Sequence, residues 1–328
     1  MRVQRILISL FLVVVLPVIL QSFFLKGDTQ ITAEDVTESS LSTVDAENRE
    51  IMIRILKDDE VFDQSVEDYV CSVLLAEMPA SFESEALKAQ AVATRTYTLR
   101  KIAGAQKHSD ADVCTDPGCC QAYKSMLEVD NVDIVEKIRS AVKDTEGEVL
   151  IYDGALIDAT YFSSSGGRTE SAIAVWGMDV PYLQAKDSPE EADTKYYRDQ
   201  ISFEEQELLH LLGFTDTVQS FTYKDITFTD GNGVDTVNIC GKTFTGLQLR
   251  NLLRLRSTAF DIEIQGDTVI FVTRGYGHRV GMSQYGAQSM AKQGRNHQQI
   301  LSYYYPNTEL VTLDREDLCR LFDKEDIL

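Results

Sequence analysis

Between Arg5 and Lys26 the chain runs through Ile6–Leu25, an apolar stretch interrupted only by Ser9, Pro17, Gln21 and Ser22. As a helix, about twenty such residues just span the hydrocarbon core of a bilayer. This feature constrains the chain more tightly than any other, because everything after it must fold on the far side of a membrane. Arg2 and Arg5 precede the run and hold that end in the cytoplasm. A cleaved signal peptide is the competing reading. Its small-x-small cleavage site is missing, Leu25-Lys26-Gly27 being a poor one. The expectation is a single-pass protein: residues 1–27 as cytoplasmic tip and transmembrane anchor, with the remainder outside the cytoplasm. Residues 28–50 are polar and acidic without apolar periodicity, and read as a flexible tether.

Residues 51–328 are enough for one large domain or two small ones. A hydrophobic content of 44% lets such a domain build a core. The chain carries 52 acidic and 31 basic residues, a net charge of −21. That excludes nucleic acid as a partner, since phosphate binding needs clustered Lys and Arg.

Ile51–Leu56 alternates apolar residues with Arg and predicts a strand. Ser65-Val66-Glu67-Asp68 resembles a capping box. Val66, Val70, Val73 and Glu77 then follow at helical spacing, and Pro79 ends that helix. A second helix is predicted from about Glu83 to Lys101, with small Ala86, Ala89, Ala91 and Ala93 permitting close approach. Val132–Thr145 is predicted helical, and Val149–Tyr161 a hairpin turning near Asp153-Gly154. A helix at Phe203–Leu211 among short strands marks a β-rich subdomain or insertion at about 191–266. Val269–Tyr285 reads as a strand leading into a Gly-rich loop, with short helices at Ala287–Gln293 and Gln298–Tyr304. Helices and strands do not alternate regularly, so the class is α+β.

Five features could carry chemistry. Glu77 is a carboxylate on an apolar helix face and at a helix C-terminus. Both placements disfavour its charge and raise its pKa, as a general acid requires. The alternative is a helix-end glutamate that reaches solvent. Arg95 shares a helix face with Val92 and Leu99; it either forms a structural ion pair or holds a substrate. If Glu77 were its partner, the carboxyl pKa would fall instead. Arg274–Ala287 holds Gly275, Gly277, Gly281 and Gly286 around Tyr276, His278, Gln284 and Tyr285, side chains that bind sugars by hydrogen bonding and stacking. Ser164, in the loop Ser163–Gly167, could line a groove with its hydroxyl; no GxSxG elbow accompanies it. His108, Cys114, Cys119 and Cys120 are spaced as ligands of a tetrahedral zinc, with disulfide bonding the alternative. With all four bound, no coordination position is open and such a zinc is structural. Cys71, Cys240 and Cys319 show no partner pattern and read as free thiols.

Taken together, Ser65–Val70, Leu75–Pro79, Glu85–Tyr97, Ser163–Gly167, Trp176-Gly177, Pro181-Tyr182 and Gly275–Ala287 resemble the stage II sporulation protein D family, in that family's order over about residues 50 to 310. The resemblance implies a lytic transglycosylase that cleaves the bond between N-acetylmuramic acid and N-acetylglucosamine in peptide-free glycan. It would leave 1,6-anhydro ends during septal wall degradation and engulfment. It implies Glu77 as the catalytic group, and Arg95, Tyr276, Gly277, His278 and Tyr285 as the lining of the glycan groove. The Cys-rich loop carries zinc in clostridial members, which can have His where this chain has Cys119. No cofactor is required for the chemistry. The implied partners are peptidoglycan strands, a cell-wall amidase acting upstream, and a sporulation membrane protein of the engulfment machinery. A non-catalytic amidase enhancer, a zinc-dependent hydrolase and a wall-binding scaffold are the alternatives.

Overall fold

The computed structural model describes residues 50–314, 316 and 317, apart from 105, 106, 189, 190, 193, 216, 217 and 219. The predicted anchor, nearly all of the tether and Cys319 lie outside the described residues. Among the described residues, no helix is long and apolar enough to cross a membrane.

The fold is mixed α+β, with several small sheets and eight α-helices among the described residues. It opens with a hairpin in which β1 (Met52–Lys57) pairs antiparallel with β2 (Glu60–Ser65), while β3 (Val113–Cys114) lies parallel to β1 on its other edge. Asp58 and Asp59 both take positive φ between β1 and β2, which matches the twist of the strands. The chain passes directly into α1 (Val66–Glu77). Ser65 Oγ accepts the amide of Asp68 at 3.2 Å, the N-cap half of the predicted capping box. The reciprocal half does not form, because position N3 is an aspartate, whose shorter side chain faces Arg139 at 4.0 Å.

Helix α2 (Ser84–Gly104) is the organising element. Its alanines at 86, 89, 91 and 93 are fully buried, so backbones approach closely on several sides. It packs against α1, α3 (Val132–Lys143), β4 (Glu148–Tyr152), α7 (Gln284–Lys292) and α8 (His297–Tyr304). Thr96 Oγ1 accepts the Leu150 amide at 3.0 Å and pins α2 to β4. Strand β4 pairs antiparallel with β14 (Glu309–Thr312). Strand β5 (Ala155–Leu156) follows β4 in sequence; Asp153 and Gly154 have φ of 50° and 76°, values suited to the predicted turn. Strands β6 (Tyr161–Phe162) and β13 (Met282–Ser283) lie parallel and bring two distant loops together. Short α4 (Ala172–Trp176) ends at Gly177.

A second cluster of buried apolar residues lies between Leu208 and Phe271. Here β7 (Arg198–Glu204), β11 (Phe260–Gln265) and β12 (Thr268–Arg274) form a sheet with β12 central. Phe203, expected in a helix, belongs to β7 because it pairs with Val269; α5 begins only at Glu205 and ends at Leu211. Strands β8 (Tyr223–Lys224), β9 (Thr236–Ile239) and β10 (Lys242–Thr245) make a small antiparallel sheet. It leads into α6 (Gly246–Leu253), which starts with a complete capping box at Thr245 and Gln248.

Candidate active site

Met78 leaves the helical conformation at the end of α1 and releases Glu77 into a cavity of about 930 Å³. The carboxylate is held from two directions. The amide of Ala122 donates to Oε1 at 3.1 Å, and Gln284 Nε2 donates to Oε2 at 3.3 Å. Burial pushes the Glu77 carboxyl above the ordinary carboxylate range, while these two donors offset part of that rise. The helix C-terminus acts in the same direction as burial.

Arg95 is elsewhere. Its guanidinium is buried and grips Glu67 through Nε at 2.7 Å and Nη2 at 2.6 Å. It also donates to the carbonyls of Glu148 and Val142. Every donor direction that matters is spent inside the protein, and Arg95 does not line the cavity. Arg95 as a groove residue is therefore corrected to a structural ion pair. The opposing pull on Glu77 that its position suggested is absent as well.

Ser164 is likewise corrected. It is fully buried, and its hydroxyl donates to Glu191 Oε2 at 2.6 Å. Glu191 accepts four more hydrogen bonds: from the amide and hydroxyl of Ser165 at 2.8 Å, from Ser188 at 2.7 Å and from Ser283 at 2.6 Å. A buried carboxylate that forms no ion pair among the described residues needs such a shell. This hub ties the serine loop to β13 and to the start of α7, and so fixes Ser163, which does face the cavity. Gly286 has no room for a side chain, since a Cβ there would lie 2.0 Å from the Tyr304 hydroxyl.

Tyr276, Gly277, His278, Gln284 and Tyr285 all line the cavity with Glu77. Gly277 has φ of 112°, and a Cβ would meet that of Phe162 at 2.9 Å, so the loop requires glycine there. His278 sits between Phe162 and Trp176, with ring centroids 5.7 and 5.4 Å away. Its Nδ1 accepts the Val280 amide at 3.1 Å. Burial, followed by the positive charge of Arg250, pushes the imidazole down to about 4 against a weaker upward pull from the Tyr161 backbone. His278 is thus neutral at physiological pH and serves as a polar ring rather than a cation.

Among the cavity residues that escaped the sequence reading are Lys195, Tyr196 and Arg250. Tyr196 meets Tyr276 at 5.5 Å and Tyr285 at 5.6 Å, completing a cluster of three tyrosines. No periodicity marks Tyr196, which lies in an irregular segment. A ring cluster with a carboxylate at one end suits a flat, hydroxyl-rich ligand better than a small ion.

Beside the cavity, His108 Nε2 lies 3.7 Å from Cys119 Sγ and 3.5 Å from Cys120 Sγ, and the two sulfurs are 4.0 Å apart. With Cys114, all four ligand atoms lie within 4.8 Å of one another. A tetrahedral zinc at ordinary bond lengths separates its ligands by about 3.6–3.8 Å. The donor set and spacing fit that ion. Cys71, Cys114, Cys119, Cys120 and Cys240 are all free thiols, so no disulfide joins described cysteines.

The family profile described as stage II sporulation protein matches residues 57–152, which include α1 and α2. The chain is 38% identical over 257 residues to stage II sporulation protein D of Bacillus subtilis (strain 168), covering 76% of this chain and 75% of that one. It is 36% identical over 261 residues to stage II sporulation protein D of Bacillus amyloliquefaciens, covering 76% and 75%. The amidase enhancer of Bacillus subtilis (strain 168) is 30% identical over 294 residues, covering 73% of this chain but 40% of that longer protein.

Proposed function

The chain belongs to the stage II sporulation protein D family, and from that premise we propose that it is a lytic transglycosylase acting on peptidoglycan during sporulation. The observation that carries this reading is a single carboxylate, Glu77, in a large cavity lined by Tyr196, Tyr276 and Tyr285. Hydrolytic glycosidases place two carboxylates across the scissile bond. Among the described residues, Glu77 is the sole Asp or Glu lining this cavity. One carboxylate suffices if the nucleophile is a hydroxyl of the substrate itself.

Burial keeps the Glu77 carboxyl protonated to higher pH than an exposed glutamate. It gives that proton to the oxygen between N-acetylmuramic acid and N-acetylglucosamine. As the bond breaks, an oxocarbenium-like centre develops at the muramic anomeric carbon. Glu77, now ionised, takes the proton of that sugar's C6 hydroxyl, and the oxygen closes the 1,6-anhydro ring. The carboxylate ends the cycle protonated as it began, and no water is consumed. Gln284 and the Ala122 amide stabilise the ionised form between the two transfers and hold its orientation. The tyrosines and neutral His278 orient the strand by stacking and hydrogen bonding.

The same proposal gives His108, Cys114, Cys119 and Cys120 a structural zinc. Four protein ligands leave no position for a reacting water, which disfavours a zinc hydrolase. The metal would brace the turn that carries Ala122, two residues beyond Cys120. Residues 1–27 are proposed as the membrane anchor and 28–50 as the tether that lets the domain reach the wall. The substrate is glycan already freed of stem peptides, so an amidase acts upstream, and an engulfment membrane protein is the proposed assembly partner.

The similarity to an amidase enhancer supports a second reading, stimulation of an amidase without glycan cleavage. Incubation of the pure protein with peptide-free sacculi separates the two. The proposal requires soluble anhydro-ended glycan without any amidase; an enhancer releases none.

A further inference from the structure

The cavity reverses the charge balance of the chain. The protein has 52 acidic and 31 basic residues. Among the described residues its cavity is lined by Lys107, Lys195 and Arg250 against Glu77 alone. These cations are not equivalent. Lys107 Nζ donates to the Cys119 carbonyl. Arg256, behind the tyrosines at 5.7 Å from both Tyr196 and Tyr276, is paired with Asp199 at 2.8 Å. Its charge is therefore already answered.

Arg250 differs from Arg256. It projects from α6 into the cavity, and no carboxylate among the described residues lies within ion-pairing distance. Its positive charge reaches His278 and Tyr276, placing it on the wall formed by that loop. Burial disfavours the charged guanidinium, Tyr276 offsets only part of that cost, and no ion pair among the described residues relieves the rest. Lys195 is exposed, lies over the Tyr196 ring at 4.5 Å and is engaged by that tyrosine alone among the described residues, at the rim of the ring platform where a ligand would meet it. An unpaired, partly desolvated arginine at the edge of a ring platform is suited to a bidentate carboxylate.

We propose that Arg250, assisted by Lys195, binds the free lactyl carboxylate of a muramic acid residue and so makes the cavity selective for glycan without stem peptides. This rests on the reading of the ligand as a glycan strand. In intact peptidoglycan that carboxyl is an amide to the first stem residue and carries no charge. Removing the peptide creates one carboxylate per disaccharide. The guanidinium gains a charge-assisted pair with the freed acid and none with the amide. A pair of that kind is worth about tenfold to a hundredfold in binding. The requirement for prior amidase action then follows from electrostatics as well as from the bulk of the peptide.

The test compares peptide-free glycan with the same glycan after its lactyl carboxylates are converted to methylamides, using the full-length protein. Two readouts are followed: kcat/KM for release of anhydro ends, and binding to the Glu77→Gln protein. Wild type should favour the free acid by about tenfold or more in both readouts. Arg250→Gln should treat the two glycans alike, and Arg250→Lys should recover part of the preference. Wild type indifferent to amidation, or Arg250→Gln with its preference intact, overturns the proposal. The first comparison needs no variant, so misfolding of Arg250→Gln cannot rescue it. Cleavage of both glycans at equal rates leaves the transglycosylase reading standing while this inference fails. Preferential binding of the free acid with no anhydro product does the reverse.

Discussion

Gln284 Nε2 donates to Glu77 Oε2 at 3.3 Å, joining the start of one helix to the end of another across 207 positions of sequence. The bond favours the ionised form of a carboxyl that burial otherwise keeps protonated. Its removal therefore has a predictable sign. Glu77 must enter the cycle protonated, so kcat/KM should fall as pH rises through its raised pKa. Gln284→Ala raises that pKa further and should move the alkaline limb to higher pH. It should also lower kcat by about tenfold to a hundredfold, because the conjugate base loses an oriented donor. A pH–rate profile with an unmoved limb contradicts the assignment.

Stability should move opposite to activity at Glu77. A carboxyl whose pKa is raised in the folded state favours folding at low pH and loses that contribution as pH rises from the ordinary carboxylate range through the raised value. Glu77→Gln removes the penalty. Its Tm should equal or exceed that of wild type at pH 7, with the difference shrinking toward pH 4. Calorimetry at both pH values checks the sign; a variant less stable at pH 7 than at pH 4, relative to wild type, contradicts it.

Arg95→Ala should damage the fold and spare the site. It strips two backbone carbonyls and Glu67 of their donor within a buried pair. The expected cost is about 3 kcal/mol, or a Tm lower by roughly 6–12 °C. The KM of the folded fraction should stay near wild type. A raised KM with an unchanged Tm would return Arg95 to the glycan groove.

Tyr196→Ala removes the ring that touches both Tyr276 and Tyr285. Stacking loss of about 1–1.5 kcal/mol corresponds to a KM raised by about tenfold, with little change in Tm. Tyr196→Phe should retain most of the affinity. If both variants bind glycan like wild type, the three tyrosines are not the platform.

The purified protein should contain about one zinc per chain by elemental analysis, and Cys120→Ser should lose it. Chelation should lower Tm, and activity should fall in step with near-ultraviolet circular dichroism rather than ahead of it. Loss of activity with the spectrum intact would instead give the metal a chemical role.

The legible parts of this chain are local. Capping at Ser65, the stop at Pro79 and the small-residue face of α2 depend on neighbours within a few positions, and they fix the two helices that present Glu77. The glycine positions of the 275–281 loop are likewise visible because a positive φ restricts the residue type. What sequence pattern could not supply is pairing across distance. Arg95 lies on a helix face that says nothing of which carboxylate will meet it, and Glu67 sits 28 positions earlier. Ser164 looked like a groove hydroxyl because Glu191, which buries it, belongs to an irregular acidic stretch that pattern alone reads as solvated. Phe203 was drawn into a strand by Val269, against its local context. Tyr196 reaches the cavity from an irregular segment that carries no periodicity, and Arg250 from a helix whose apolar pattern marks only Leu249 and Leu253 as buried.

The central claim is that Glu77 alone cleaves glycan without consuming water. Mass spectrometry of products from peptide-free glycan tests it most directly, with wild type and Glu77→Gln side by side. The expected result is 1,6-anhydromuramic ends from wild type and no new ends from the variant. Products one water heavier, or anhydro ends from Glu77→Gln at the wild-type rate, would contradict it.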